Sequence, residues 1–271
     1  ALPTAKFGDS DEVKVGDVVL AMGSPAGLSQ SVTRGIASNL AMITPQRNSF
    51  RLDGENVGML VRWIGHDAII FPGNSGGPLV NLKGEIIGIN EVGIGSLGGA
   101  IPGNLARSVA QQLIESGLVE RSWVGVEAQP LLDEQREGKG VLVAGVISGS
   151  PAEEAGLVAG DVIQRFDGVK VNALIPEDLP LFNRIALGTP IGKEVQIHGL
   201  RNGKKQNWSL TTSAREAARM PERELKNWGI TARNFSMLSA LEARRPDAKG
   251  VQVHSVRSGS PADSAKSCGA A

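Results

Sequence analysis

Cysteine is almost absent. Cys268 is the only one in 271 residues, which excludes an internal disulfide framework and any cysteine-based zinc cluster. An excess of either charge is also lacking: 28 Lys+Arg balance 28 Asp+Glu, so the chain as a whole has no electrostatic footprint for wrapping nucleic acid or coating an anionic membrane. No apolar run approaches the ~18 residues that a membrane span requires. Histidine is scarce. His66, His198 and His254 lie far apart without ligand spacing, so nothing supports a metal site, and the expectation is none. The chain opens on Ala1 with no charged and apolar leader pattern, and it closes on Cys268-Gly269-Ala270-Ala271 inside a repeated motif. The expectation is a piece of a longer protein, cut at both ends.

What is present describes an ordinary globular chain. At about 150 residues per domain the length suits roughly two domains. Hydrophobic residues at 41% with charged residues at 21% argue against disorder. Glycine is the exception, at 35 of 271 residues, about 13% against a usual ~7%. It falls between short apolar segments, the texture of a turn-rich β protein.

Short strands are expected over Val18–Met22, Ser31–Ala37, Val57–Ile64, Leu79–Leu82 and Gly84–Asn90, with an exposed loop over 44–56. One helix follows, with Asn104 as its cap, Leu105, Val109 and Leu113 as its apolar stripe and Gly117 as its end. Strands closed by a helix form a barrel-like unit over 1–120. A second unit spans 122–213 and contains half of an internal repeat. Gly140-Val141-Leu142-Val143 leading to Ser148-Gly149-Ser150-Pro151-Ala152 recurs 110 residues later as Gly250-Val251-Gln252-Val253 leading to Ser258-Gly259-Ser260-Pro261-Ala262. Each copy is an alternating strand running into a helix start, with Ser150 as cap, Pro151 in the first turn and Glu153 completing a capping box. The spacing suits tandem small domains: one complete, a charged linker over 214–227 carrying Pro221, and the opening of another over 228–271.

Gly73-Asn74-Ser75-Gly76-Gly77-Pro78-Leu79 is the sharpest chemical signal. A nucleophilic serine needs an exposed hydroxyl on a tight turn, with backbone N–H groups aimed at the developing oxyanion. Flanking glycines permit that turn. A glycine turn before a buried strand is the plain alternative, and the motif alone does not choose between them. Gly93-Ile94-Gly95-Ser96-Leu97-Gly98 matches a dinucleotide-binding pattern, but Ala100-Ile101-Pro102 separates it from the helix, so a strand-to-strand loop is the better reading. Phe182 and Ile185, in a helix expected over 178–187, could serve as core or border a peptide pocket.

Order along the chain decides more than any single motif. Ala5-Lys6-Phe7-Gly8-Asp9 with Val15-Gly16-Asp17, then Ala21-Met22-Gly23-Ser24-Pro25-Ala26-Gly27-Leu28 with Val32-Thr33-Arg34-Gly35-Ile36, then Asp67–Pro72, the serine motif, Gly88-Ile89-Asn90 and Gly98–Asn104 resemble the trypsin-like serine proteases of the HtrA/Deg type. Trp123-Val124-Gly125-Val126 and the two Ser-Pro-Ala segments are similar to the PDZ domains of that family. The resemblance covers nearly the whole chain. It implies a mainly β protein, the C-terminal barrel of a chymotrypsin-like double barrel followed by PDZ domains. Ser75 would be the nucleophile, with the N–H groups of Gly73 and Ser75, and of Asn74 as a third candidate, forming the oxyanion hole. Phe71, Pro72, Gly98, Gly99, Ala100 and Ile101 would line the substrate pocket, although Phe71 stands where the family usually has Asn and Gly99 where it has Phe. Val124, Gly125 and Val126 would bind a peptide carboxylate, with Phe182 and Ile185 facing its last side chain.

The resemblance further implies a periplasmic or extracytoplasmic endopeptidase of protein quality control, acting on unfolded polypeptides and C-terminal peptides without a cofactor, within a trimer-based homo-oligomer. Its general-base histidine and aspartate would come from an upstream barrel. His66, nine positions before Ser75 where the family usually has Thr, reads as a loop residue rather than that base. His198 and His254 read as solvent-facing strand residues. Two rival readings stand beside the protease: a PDZ-based peptide-binding or chaperone module, and a pseudoprotease scaffold.

Overall fold

The computed structural model describes residues 4–28, 30–43, 51–52, 55–56, 58, 60–131, 139–216, 220–243, 245 and 247–268. Most of the loop expected over 44–56, namely 44–50, 53 and 54, lies outside them. The chain divides into two compact units, one of residues 1–50 with 57–214 and one of residues 51–56 with 215–271.

In the first unit, β1 (Val18–Gly23), β2 (Ser31–Met42), β5 (Trp63–His66), β6 (Pro78–Asn81), β7 (Ile86–Ile94) and β8 (Leu97–Pro102) close into a six-stranded barrel in the order β1-β2-β5-β8-β7-β6. The two-residue strands β3 (Arg51–Leu52) and β4 (Glu55–Asn56) pair with each other. Every barrel contact is antiparallel. Closure leaves no edge strand, and the interior fills with small and branched residues such as Val19, Ala21, Ala37, Leu79 and Ala100, all fully buried. Trp63 anchors a satellite cluster with Met42 and Val61. The glycine pattern at 93–98 is the β7–β8 hairpin, turning at Gly95-Ser96 with Gly95 at φ +61°.

Three local expectations need correction. The strand placed at 57–64 begins only at Trp63 and runs to His66, so His66 is a fully buried strand residue and not a loop residue. Asn104 does not cap the helix. α1 (Gly103–Ser116) starts behind Pro102, and Asn104 instead donates its backbone N–H to Ser10 Oγ (3.0 Å) and its amide to Asp9 Oδ1 (2.7 Å). A remote pair thus satisfies the helix start, which a reading of neighbours along the chain cannot find. That amide, with the Asp11 N–H, holds the Asp9 carboxyl below its ordinary range. The apolar stripe also stops early, since Leu113 is 47% exposed, while Gly117 ends the helix in the left-handed conformation as expected.

The rest of the first unit is a second sheet. β10 (Val126–Pro130), β11 (Val141–Val146), β12 (Val162–Phe166), β14 (Glu194–Arg201) and β15 (Lys204–Thr211) lie in that order, and β13 (Val169–Lys170) pairs with β12. β9 (Ser122–Trp123) pairs with β16 (Ser213–Ala214). Helices α2 (Pro151–Glu154) and α3 (Leu179–Gly188) complete this part. β14 and β15 alternate strictly, Val195, Ile197, Trp208 and Leu210 inward, so the opposite face meets solvent. Arg201 binds the buried Asp161 through two 2.7 Å bonds and lies over Trp208.

The second unit carries β17 (Arg223–Leu225), β18 (Ile230–Asn234) and β19 (Val251–Val256) as a three-stranded sheet, with α4 (Met237–Glu242) and α5 (Pro261–Cys268). Residues 223–225, expected as linker, are therefore strand. The repeat is structural. Ser150 Oγ accepts the Glu153 N–H (3.2 Å) and Ser260 Oγ the Asp263 N–H (3.3 Å). The carboxylates reach back one residue further than a capping box, to the N–H of Gly149 (2.7 Å) and Gly259 (2.9 Å).

Because Ser150 is fully buried and holds an orphan helix donor, Ser150→Ala is expected to lower the stability of its domain by about 1 kcal/mol. A urea midpoint followed by Trp208 fluorescence that does not move would contradict this.

Candidate functional site

Ser75 sits on the turn between β5 and β6, and its geometry is set by glycine at three positions. Gly73 has φ +108°, and a Cβ there would lie 2.4 Å from the Ser24 carbonyl. Gly76 has φ +84°, and a Cβ at Gly77 would lie 2.1 Å from the Met22 carbonyl. The loop is therefore pressed onto the end of β1, where Ser24 N–H donates to the Gly73 carbonyl at 3.1 Å.

Asn90 on β7 fastens the other side. Its carbonyl accepts the Gly76 N–H and its N–H donates to the Gly77 carbonyl, both at 2.8 Å. Its side-chain amide donates to the Pro78 carbonyl (3.1 Å), so its Oδ1 is left to accept from His66 Nε2 (3.1 Å). The exposed Ser75 hydroxyl donates to the Glu91 carbonyl at 3.0 Å. The Glu91 carboxylate is taken by the buried Trp63 indole N–H at 2.6 Å. Asp67, which follows β5, accepts the Ile36 N–H at 2.6 Å.

The N–H groups of Gly73 and Ser75 have no acceptor among the described residues. Asn74 differs from the expectation. Its N–H donates to the Phe71 carbonyl at 2.9 Å, and its side chain is buried against Gly23 with Oδ1 unpartnered. Two donors, not three, are therefore open for an oxyanion.

The expected pocket residues separate into two groups. Gly98 is paired with His66 across β5–β8, and Gly99 packs against Met42 and Val92. Phe71 and Pro72 are exposed beside the serine turn. Ala100 is instead fully buried in the barrel core, and Ile101 packs against the Trp63 cluster, so neither side chain lines a surface pocket. Alternation along β8 sends them to opposite faces, Ala100 into the barrel core and Ile101 toward the Trp63 cluster. Asn90 and Glu91 were missed. The available signal was an asparagine ending the apolar run Ile86-Ile87-Gly88-Ile89, a buried polar residue that had to have partners.

None of the three histidines is hydrogen-bonded to Ser75. His198 Nδ1 meets Asn207 Oδ1 at 2.7 Å, and His254 lies 3.6 Å from Glu222. His66 is fully buried behind Asn90, and Nδ1 lacks a well-formed partner although the Ala68 backbone lies within reach of the ring. Desolvation pushes its pKa below the ordinary histidine range, and the bonds to Asn90 and Ala68 only partly oppose this.

The peptide-site residues stand at the start of the second sheet. Gly125 has φ +80°, and a Cβ there would lie 2.1 Å from Ser150 Cβ. The Val124 and Gly125 carbonyls are held by Ala152 N–H and Ile147 N–H, both at 2.9 Å, while the N–H groups of both residues lack acceptors among the described residues. Val126 faces Val146 with the Ile147–Gly125 bond beside it, so its own N–H points away from β11 toward the open edge of β10. Phe182 is core, edge-on to Phe166 at 6.0 Å, and Ile185 is half-buried against the same cluster. The second unit repeats this turn: Gly229 has φ +69° against Ser260, and Trp228 and Gly229 carbonyls accept from Ala262 and Arg257. There the N–H groups of Trp228 and Gly229 are filled by the chain itself, both donating to the Leu225 carbonyl (3.0 and 2.9 Å).

A histidine with a depressed native pKa binds its proton more readily when unfolded. His66 therefore contributes stability that is complete above the unfolded value near ~6.5 and is lost as pH falls toward the native value. Thermal unfolding at pH 7.5 and pH 5.5 is expected to show a drop that His66→Gln reduces. An equal drop in both proteins would refute the assignment.

Residues 1–89 match the trypsin-like peptidase domain family and residues 122–212 the PDZ domain family. A Pseudomonas putida protein named probable periplasmic serine endoprotease DegP-like is 38% identical over 225 residues, covering 79% of this chain and 44% of that protein. A Chlamydia trachomatis protein of the same name is 35% identical over 282 residues, covering 97% and 52%. The chain thus spans about half the length of the curated relatives it matches. The solved structure of the HtrA-type protease AlgW with tripeptide superposes with a TM-score of 0.67 at 36% identity, covering 80% of this chain and 71% of that one. Barrel, serine turn, PDZ sheet and these relatives converge on one assignment: the chain belongs to the HtrA-type, trypsin-like serine proteases that carry PDZ domains.

Proposed function

We propose that this chain supplies the nucleophile half of a serine endopeptidase of protein quality control, cleaving unfolded polypeptide through an acyl-enzyme on Ser75. In this reading residues 1–120 are the C-terminal half of the protease domain, 122–213 a PDZ domain, 214–227 a linker and 228–271 the start of a second PDZ domain. The observation that carries it is the exposed Ser75 hydroxyl on a turn whose Gly73 and Ser75 N–H groups have no acceptor among the described residues. A carbonyl carbon brought to Ser75 Oγ would place its oxygen between those two donors.

The general base is inferred to lie on polypeptide outside these 271 residues, because each histidine here is engaged elsewhere. Losing a triad member leaves a residual ~10³–10⁴-fold acceleration over water. The relatives' names place them in the periplasm, and an extracytoplasmic location is proposed here on that footing; a trimer-based assembly is proposed only on the family resemblance.

Purified alone, the chain is expected to show neither casein hydrolysis nor fluorophosphonate labelling. Joined to the polypeptide encoded upstream it should show both, and Ser75→Ala should abolish both while leaving the circular dichroism unchanged. Labelling of the isolated chain would overturn the inferred external base. Absence of labelling in the longer protein would leave the peptide-binding module as the better reading.

Peptide binding is proposed at the Val124–Val126 turn. Three N–H groups converge there beside an open strand edge, so a peptide can add as a strand next to Val126–Gln129 with its carboxylate at the turn. Ile185, half-buried, would border its last side chain, while Phe182 supports that wall from the core. Hydrophobic C-terminal peptides should bind weakly, and C-terminal amidation should remove most of the binding. Equal affinity for acid and amide in fluorescence polarisation would exclude the carboxylate turn.

A further inference from the structure

The solvent face of the second sheet carries a feature that peptide binding and proteolysis leave unused. Lys170 on β13 stands directly opposite Arg165 on β12, and Arg165 stands directly opposite His198 on β14. The row continues to Asn207 on β15, and Lys205, two residues along that strand, shares its face. These side chains, with Lys139 and Asn172, line a cleft of about 660 Å³, inside the usual range for small-ligand sites. Among the described residues no acidic side chain lines it.

Like charges placed directly opposite across strands are destabilising. Such a row is ordinarily relieved by interleaved carboxylates, and among the described residues none is interleaved here. Lys139, Lys170 and Lys205 have no ion-pair partner among the described residues. The acids nearest along the strands are already engaged: Asp167 with Lys193 at 2.5 Å, and Glu194 with Ser209 Oγ at 2.7 Å. Glu194 also lies four residues from His198, about 13 Å along β14.

Two groups in the row are held in place. Arg165 Nη1 donates to the Gly168 carbonyl at 3.0 Å, which fixes the guanidinium and leaves its other N–H groups to the cleft. His198 is fixed through Nδ1, whose N–H donates to Asn207 Oδ1 at 2.7 Å, so Nε2 of the neutral ring accepts from a phosphate O–H and that of the imidazolium donates to a phosphate oxygen. A planar fork, a positioned imidazole and mobile ammonium groups suit tetrahedral oxyanions, which accept several charge-assisted hydrogen bonds at once.

We propose that this cleft is an anion site for a phosphate-bearing ligand, a free phosphate ester or a phospholipid headgroup, held by Arg165, Lys170, His198 and Lys205. The site stands on a sheet face separate from the peptide turn, so it is independent of the protease and PDZ readings.

The test is a ¹H–¹⁵N titration of the full 271-residue chain with inorganic pyrophosphate, at ionic strength held constant with chloride. Sedimentation with phosphatidylcholine vesicles, with and without phosphatidylglycerol, runs beside it. Saturable shifts centred on residues 165, 170 and 198 identify a free phosphate ligand. Sedimentation only with phosphatidylglycerol identifies a headgroup. Arg165→Gln with Lys170→Gln should weaken either by about ten-fold or more, the effect of one charge-assisted hydrogen bond or more. If the double variant fails to fold, Lys170→Gln and Lys205→Gln, each at an exposed position, should singly lower affinity several-fold. No saturable response to either probe, or binding that survives these substitutions, overturns the site.

Discussion

Asn90 is the residue on which the serine turn depends. Its two backbone groups hold Gly76 and Gly77, its amide holds Pro78, and its Oδ1 takes the buried imidazole of His66. The next carbonyl in the chain receives the Ser75 hydroxyl. One strand position thus fixes the turn in register with β7, while β1 presses against it from the other side through Gly23 and Ser24. A loop of glycines would otherwise be costly to order. Here its ordering is shared with a closed barrel, whose strands cannot slip independently.

A second constraint recurs in the two Ser-Pro-Ala segments. A left-handed glycine packs so closely on a buried helix-cap serine that neither position admits a larger neighbour: Gly125 on Ser150, Gly229 on Ser260. The same contacts then turn two N–H groups outward. In the first copy they meet no acceptor among the described residues, and in the second they meet the Leu225 carbonyl from β17. The glycine is left-handed in both places. Whether the turn is open is decided by the strand that precedes it, not by the turn itself.

Much of this was readable from residue order. The barrel strands at Val18, Ser31 and Leu79, the 110-residue repeat, the Ser150 cap and the β7–β8 hairpin follow from alternation, turn residues and capping chemistry, which are local. What escaped was non-local. The partner that satisfies the start of α1 is Ser10, 94 positions from Asn104. Ala100 and Ile101 look like pocket residues by their neighbours, yet the β8 pleat sends Ala100 into the barrel core and Ile101 to the opposite face, against the Trp63 cluster. Residues 223–225 read as linker because they are charged, although they pair with β18. His66 looked like a loop residue because nothing in its neighbourhood reveals that Asn90, 24 positions later, would receive its Nε2.

Net charge is a poor guide to either functional surface for the same reason. The chain sums to zero, yet its charges are sorted. Around Ser75 the Gly73 and Ser75 N–H groups have no acceptor among the described residues, and desolvation lowers the pKa of the buried His66 imidazole, so a negative charge developing there would meet open donors. On the solvent face of the second sheet cations stand in register, while Asp167 and Glu194 are engaged elsewhere. At both proposed sites the local placing of donors and cations, rather than an excess of positive charge, would receive an anion supplied from outside.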